Sequence, residues 1–206
     1  MDNKRYIYSI ATLFVGAFLW YLMFIVKPIN FWLEMSISIL CLVLIGQFLK
    51  KDLLHFGKIT LRHILIGIIS AIGLYAIFYV GNIVSGYLFP FKDAQISLVY
   101  GNKSQGNLIW IGLLLFFVIG PGEEIYWRGF IQNTFAAKFG ENNGFIFSAL
   151  IYGGIHIATG NFMLVLASLV CGIYWGWIYK KEKSLVPVII SHAIWDLTIF
   201  VLLPMQ

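Results

Sequence analysis

Glu123 and Glu124 stand side by side in the segment Gly122-Glu123-Glu124-Ile125-Tyr126-Trp127-Arg128-Gly129, inside a stretch otherwise dominated by apolar residues. A charged side chain at the centre of a bilayer costs on the order of 2.5–3.5 kcal/mol on insertion scales, so each one at membrane depth is a functional candidate. On a helix Glu124 and Arg128 share a face and can form an ion pair. Glu123 is turned about 100° from Glu124 and faces elsewhere. One carboxylate is then neutralised structurally, and the other is left to act as a general base. The bland alternative is a helix end with solvated charges.

Two further groups sit in uncharged surroundings. His156 ends the run Tyr152-Gly153-Gly154-Ile155-His156; a lone histidine there also fits simple packing, with the two glycines allowing close helix approach. In Ser191-His192-Ala193-Ile194-Trp195-Asp196, His192 and Asp196 project from one helical face. An imidazole beside a carboxylate can ligate a metal, polarise water or stabilise an oxyanion. Ser191 points about 100° away from His192 and is disfavoured as a nucleophile. Together the three elements suit activation of a water for attack on an amide, with or without a divalent metal. Glu123, His156, His192 and Asp196 are the candidate ligands if a metal is used.

The elements that must carry these residues are membrane helices. The chain of 206 residues is 60% hydrophobic and 11% charged, against about 45–50% and about 25% in an ordinary soluble domain. Apolar runs long enough to approach the roughly 20 residues of a crossing predict spans at 6–26, 31–49, 64–88, 108–120, 144–157, 162–179 and 185–203, with a further helical segment at 121–138. The expected fold is an all-α polytopic transmembrane bundle of about 7–8 helices. It forms a single membrane domain over 1–206, with N-terminal spans in 1–107 and a catalytic core in 108–203. Pro121 and Gly122 either kink one long helix or separate two. The first apolar run is longer than a signal-peptide core and reads as a retained span. Cys41 and Cys171 each lie mid-run and read as packing residues. Of the 14 Lys and Arg residues, an N-inside orientation puts all but Lys27, Lys92 and Lys103 on cytoplasmic segments, so the positive-inside rule predicts a cytoplasmic N-terminus. The same placement accounts for the net charge of +5 without a nucleic-acid partner.

Glu-Glu-x-x-x-Arg, aromatic-x-x-x-His and His-x-x-x-Asp, in that order on separate helices, resemble the motifs of the CPBP family of intramembrane proteases. That family includes the type II CAAX prenyl endopeptidases and the bacterial Abi-type proteins. The resemblance covers roughly 108–203. It implies that Glu123 and His156 activate the attacking water, that Glu124 pairs with Arg128, and that His192 and Asp196 stabilise the oxyanion or complete a metal site. It also implies either a divalent metal such as zinc or a metal-free glutamate mechanism. Two positions depart from the usual pattern: Tyr152 replaces Phe, and Asp196 replaces Asn. The implied activity is cleavage of a membrane-associated protein or peptide near the cytoplasmic face, in peptide maturation or bacteriocin self-immunity. The implied setting is a bacterial plasma membrane, with the lipid bilayer and a peptide or protein substrate as partners. Two alternatives predict different things. A proton- or ion-coupled transporter would show inverted repeats and paired broken helices, where the sequence has one Pro-Gly interruption and no repeat. A non-catalytic bacteriocin-immunity protein would tolerate alanine at Glu123.

Overall fold

The computed structural model describes residues 3–205, and the fold is helical throughout. Eight helices follow in order. They are α1 (Asn3–Tyr21, continued by a π turn at Leu22–Val26), α2 (Phe31–Leu49), α3 (Leu61–Leu88), α4 (Lys92–Gly101), α5 (Leu108–Phe139), α6 (Glu141–Gly154, continued by a 3₁₀ turn at Ile155–Thr159), α7 (Phe162–Glu182) and α8 (Leu185–Leu202). All but α4 and α6 are long and apolar enough to cross a membrane. Their outward faces carry large apolar side chains such as Phe14, Phe48, Ile69 and Phe117, as lipid contact requires.

The helices begin where polar caps satisfy their first free N–H groups. Asn30 accepts from the backbone N–H groups of Trp32 and Leu33, Thr60 from His63, Asn107 from Ile109, Asn161 from Leu164, and Ser184 from Val186. All five stand just before the apolar run that follows, so local chemistry fixes the boundaries that hydropathy leaves vague.

One alternative left open at Pro121 is resolved, and one expected span is corrected. The segments 108–120 and 121–138 form one helix of 32 residues, because the chain passes Pro121 without breaking. Proline lacks an N–H and its ring crowds the preceding turn of a regular helix. Here a π turn at Leu115–Ile119 widens the backbone just before it, and a second follows at Ile125–Gln132. The glutamates thus lie between two π turns, a feature often found at functional sites. The expected span at 144–157 is instead the 14-residue α6, about 21 Å long at 1.5 Å per residue and short of the roughly 30 Å hydrocarbon core. It packs back along α5 through a turn at Gly140, whose φ of +85° is a conformation open to glycine. At Gly144 a side chain would meet the backbone N of Ala136 at 2.3 Å, so only glycine lets α6 lie this close.

The two ends of the bundle differ in charge and are each tied together. One end gathers Lys4, Arg5, Lys50, Lys51, Lys58, Arg62, Lys138, Lys180, Lys181 and Lys183. There Arg62 pairs with Glu182, Lys183 with Glu141, Lys180 donates to Asn142, and the Lys50 ammonium donates to the Gly129 carbonyl at 3.1 Å. The opposite end holds Lys27, Lys92 and Lys103. Its elements are tied mainly by neutral contacts: Trp32 donates to the Asn102 carbonyl at 2.9 Å, and Asn161 to that of Gln95 at 2.8 Å. Tyr100 of α4 donates to the Ile199 carbonyl at 2.9 Å and fastens the π turn that ends α8. Burial raises this phenol above its ordinary pKa, so it stays a neutral donor.

The middle of the bundle belongs to α5. From Tyr126 through Ile131 every residue is buried, enclosed by Leu53, Leu185, Val188 and Trp175 among others. Polar rungs tie α5 to α7. Arg128 donates to the carbonyls of Cys171 and Gly172, and Gln132 to that of Gly176. Gly176 on α7 leaves room for Gln132 of α5, and Gly172, one turn earlier, for Ala149 and Tyr152 of α6.

Candidate active site

Glu123, Glu124, Arg128, His156, His192 and Asp196 are all buried and lie in one connected region. Glu123, His156, His192 and Asp196 line a cavity of about 390 Å³, whose remaining walls are mainly apolar. Glu124 and Arg128 stand behind that wall, at 0% and 1% exposure.

Their connections follow from the helices that carry them. On α5, Arg128 donates to Glu124 Oε1 at 2.8 Å across one helical turn. The same oxygen meets His192 Nδ1 of α8 at 2.7 Å. The far side of that ring, Nε2, faces Asp196 Oδ2 at 3.4 Å. A ring protonated on both nitrogens satisfies both carboxylates, and the set Glu124, Asp196, Arg128 and His192 is then neutral in sum. Such compensation is what makes buried charge tolerable. Trp175 stacks on His192 with ring centroids 3.8 Å apart, and its indole N–H donates to Ser191 Oγ at 3.0 Å. Ser191 is therefore a buried acceptor for Trp175.

Glu123 points the other way, toward α6. Its Oε2 accepts from the Tyr152 hydroxyl at 2.6 Å. The Arg128 guanidinium lies over the Tyr152 ring at 4.8 Å from its centroid, so one tyrosine bridges the glutamate and the arginine. The replacement of Phe by Tyr at 152 matters more than its shape: it supplies the donor that aims the carboxylate. The departure was visible in the sequence, but the partner was not, because it lies 29 residues away.

His156 is brought to the cavity but not onto Glu123. Its Nδ1 lies 2.9 Å from the Tyr152 carbonyl. A carbonyl can only accept, so Nδ1 carries the hydrogen and Nε2 accepts from the Trp20 indole at 3.2 Å. Both nitrogens are partnered, and His156 connects to Glu123 through a relay: His156 anchors the backbone of Tyr152, and the Tyr152 hydroxyl holds Glu123. Trp20 had no signal in the sequence beyond its place in an apolar span.

The four candidate ligands do not form a ready metal cage. Among the described residues no three His, Cys, Asp or Glu side chains are grouped to hold an ion. The reason is in the bonding: His156 Nε2 faces an N–H, and His192 Nδ1 is spent on Glu124.

A second correction concerns the direction of the cavity. The cleavage near the cytoplasmic face that the resemblance implies would place the opening at the Lys- and Arg-rich end. Instead the walls are built from Phe24, Ser85, Tyr100, Leu164 and Met205, at the opposite end. Toward the charged end the closely packed stretch from Tyr126 to Ile131 fills the space.

Tyr152→Phe removes one donor and nothing else. Loss of a hydrogen bond to a charged group is worth about 1.5–3 kcal/mol of stability, so the unfolding temperature is expected to fall modestly, and turnover of a cleaved peptide by about an order of magnitude or more as Glu123 loses its aim. An unchanged rate would mean that the hydroxyl does not aim Glu123.

No curated protein and no solved structure matches the chain. Residues 105–198, the stretch that carries all six candidate residues, match the family described as type II CAAX prenyl endopeptidase Rce1-like, in agreement with the motif resemblance and with an intramembrane CAAX-type protease at the level of family.

Proposed function

We propose that this protein hydrolyses a peptide bond of a membrane-associated protein or peptide, with Glu123 as the general base. The observation that carries the reading is the carboxylate of Glu123, held by Tyr152 at 2.6 Å on the wall of an apolar cavity that His192 and Asp196 also line. A base needs a fixed position and access to a small volume from which bulk water is kept out. In the proposed reaction Glu123 takes a proton from a water as its oxygen attacks the scissile carbonyl carbon. The carbonyl oxygen becomes an oxyanion on the His192 side, where the Nε2–H that faces Asp196 at 3.4 Å would turn toward it. The C–N bond then breaks, and the proton held by Glu123 passes to the leaving amine. Asp196, facing Nε2 at 3.4 Å, orients His192. His156 and Tyr152 are positioning residues. The reaction is written without a metal, a form supported by the protein partners already bonded to His156 Nε2 and His192 Nδ1.

The test is mass spectrometry of hydrophobic peptides in proteoliposomes with and without the purified protein. New termini are expected only with the protein, and their yield is expected to survive a strong zinc chelator. Absence of any new terminus would overturn the peptidase reading. Loss on chelation, restored by zinc, would overturn its metal-free form.

A further inference from the structure

We infer that the reaction chamber faces the extracytoplasmic half of the membrane, and that its substrate is a hydrophobic peptide segment presented from that side. The substrate class rests on the peptidase reading above; the orientation does not.

Two independent observations meet here. The first is the charge of the bundle ends. Ten of the 14 Lys and Arg residues lie at one end and three at the other, with Arg128 buried between. Lysine and arginine in short connections are retained on the cytoplasmic side, and a bias of this size sets the orientation. The second is the shape of the interior. The cavity extends from Glu123 and Asp196 past Ile77 and Phe78 toward Ser85 on α3 and Met205, which belong to the end poor in Lys and Arg. The side that the charges mark as cytoplasmic is closed by α5, whose Tyr126, Trp127, Phe130 and Ile131 are all fully buried.

The chemistry of the lining narrows the occupant. Away from the four site residues, Asn82, Ser85 and Ser168 it is mainly aliphatic or aromatic, which suits the apolar side chains of a membrane-inserted or exported peptide. One polar atom stands out on α3. Asn82 lines the cavity, and its Oδ1 is buried without a hydrogen-bond partner. A buried acceptor left unsatisfied is unfavourable by about 1–3 kcal/mol, and the backbone N–H of an extended peptide is the donor that the proposed substrate brings. Asn82 lies outside the matched segment 105–198, so this contact belongs to the recognition of a particular peptide.

The experiment places single cysteines in the full-length protein. Ser85→Cys and Met205→Cys report on two cavity walls, and Lys58→Cys reports on the Lys-rich end. Spheroplasts are treated with a membrane-impermeant maleimide, and labelling is read above that of the parent chain with its native Cys41 and Cys171. Ser85→Cys and Met205→Cys are expected to label in intact spheroplasts, and Lys58→Cys only after permeabilisation. The reverse pattern, or labelling of both ends in intact spheroplasts, overturns the inference. Repeating the measurement in Glu123→Gln separates the two claims, because accessibility is expected to be the same whether or not the protein hydrolyses anything. As the substrate arm, a hydrophobic peptide added outside right-side-out vesicles is expected to be cleaved without permeabilisation, and Asn82→Leu is expected to raise KM with little change in kcat. Cleavage that requires permeabilisation overturns the proposed side of entry. An unchanged KM in Asn82→Leu overturns the proposed anchor.

Discussion

Glu123→Gln is expected to reduce peptide hydrolysis by between about a hundredfold and ten-thousandfold, the range that a positioned general base contributes. The variant is informative because it changes so little else. Glutamine has the same length and keeps a carbonyl oxygen that can accept from Tyr152, so the 2.6 Å contact has a successor. What it loses is the ability to take a proton from water. Expression, membrane insertion and thermal unfolding are therefore expected to match the parent, while the yield of new peptide termini collapses. Hydrolysis retained at the parent rate would remove Glu123 from the proposed chemistry. A variant that fails to insert is distinguished by the unfolding measurement, and Glu123→Asp then tests the role of position, since it keeps the base but withdraws it from Tyr152.

The largest expected effect on stability belongs to Arg128. Its guanidinium pairs with Glu124, donates to two carbonyls of α7, and lies over the rings of Tyr152 and Trp175. Arg128→Met keeps bulk and an unbranched stem but leaves a fully buried carboxylate facing His192 alone. Breaking one side of a buried pair is worth about 3–5 kcal/mol, enough to lower the unfolding temperature by many degrees or to prevent accumulation of folded protein. Arg128→Lys restores the charge but not the fork that reaches several acceptors at once, and is expected to recover only part of the loss. Scanning calorimetry or fluorescence-detected unfolding in detergent reads both. A Met variant as stable as the parent would show that the ion pair is not structural.

Interactions within one helical turn were legible in the sequence. Arg128 and Glu124, or His192 and Asp196, follow from spacing alone, because a helix places residues four apart on one face. The same spacing could not say that His192 would share the oxygen that Arg128 uses, since 68 residues separate His192 from Glu124. Nor could it show that the hydroxyl of Tyr152 would find Glu123. The helical class and the apolar spans were likewise readable, from composition and hydropathy. The unbroken passage through Pro121 was not, because the π turns that permit it depend on how α5 packs, and no residue type announces them. The short α6 was obscured for a related reason: apolar content marks burial, and hydropathy does not separate burial in lipid from burial against α5. The direction of the cavity lay beyond the sequence altogether, since it depends on which gaps between helices the side chains fill.

The contact from Trp20 to His156 bears on how such a protein can be divided or recombined. The matched segment begins at residue 105, yet the histidine within it takes its only indole partner from α1, 136 positions away. A half cut free at that boundary, or grafted onto the leading helices of a relative, would inherit the motifs intact and lose the indole donor to Nε2 of one of them. The heritable unit here is the bundle, and an exchange between homologues that respects motif borders alone is expected to give folded but poorly active chimaeras unless the tryptophan travels with the histidine.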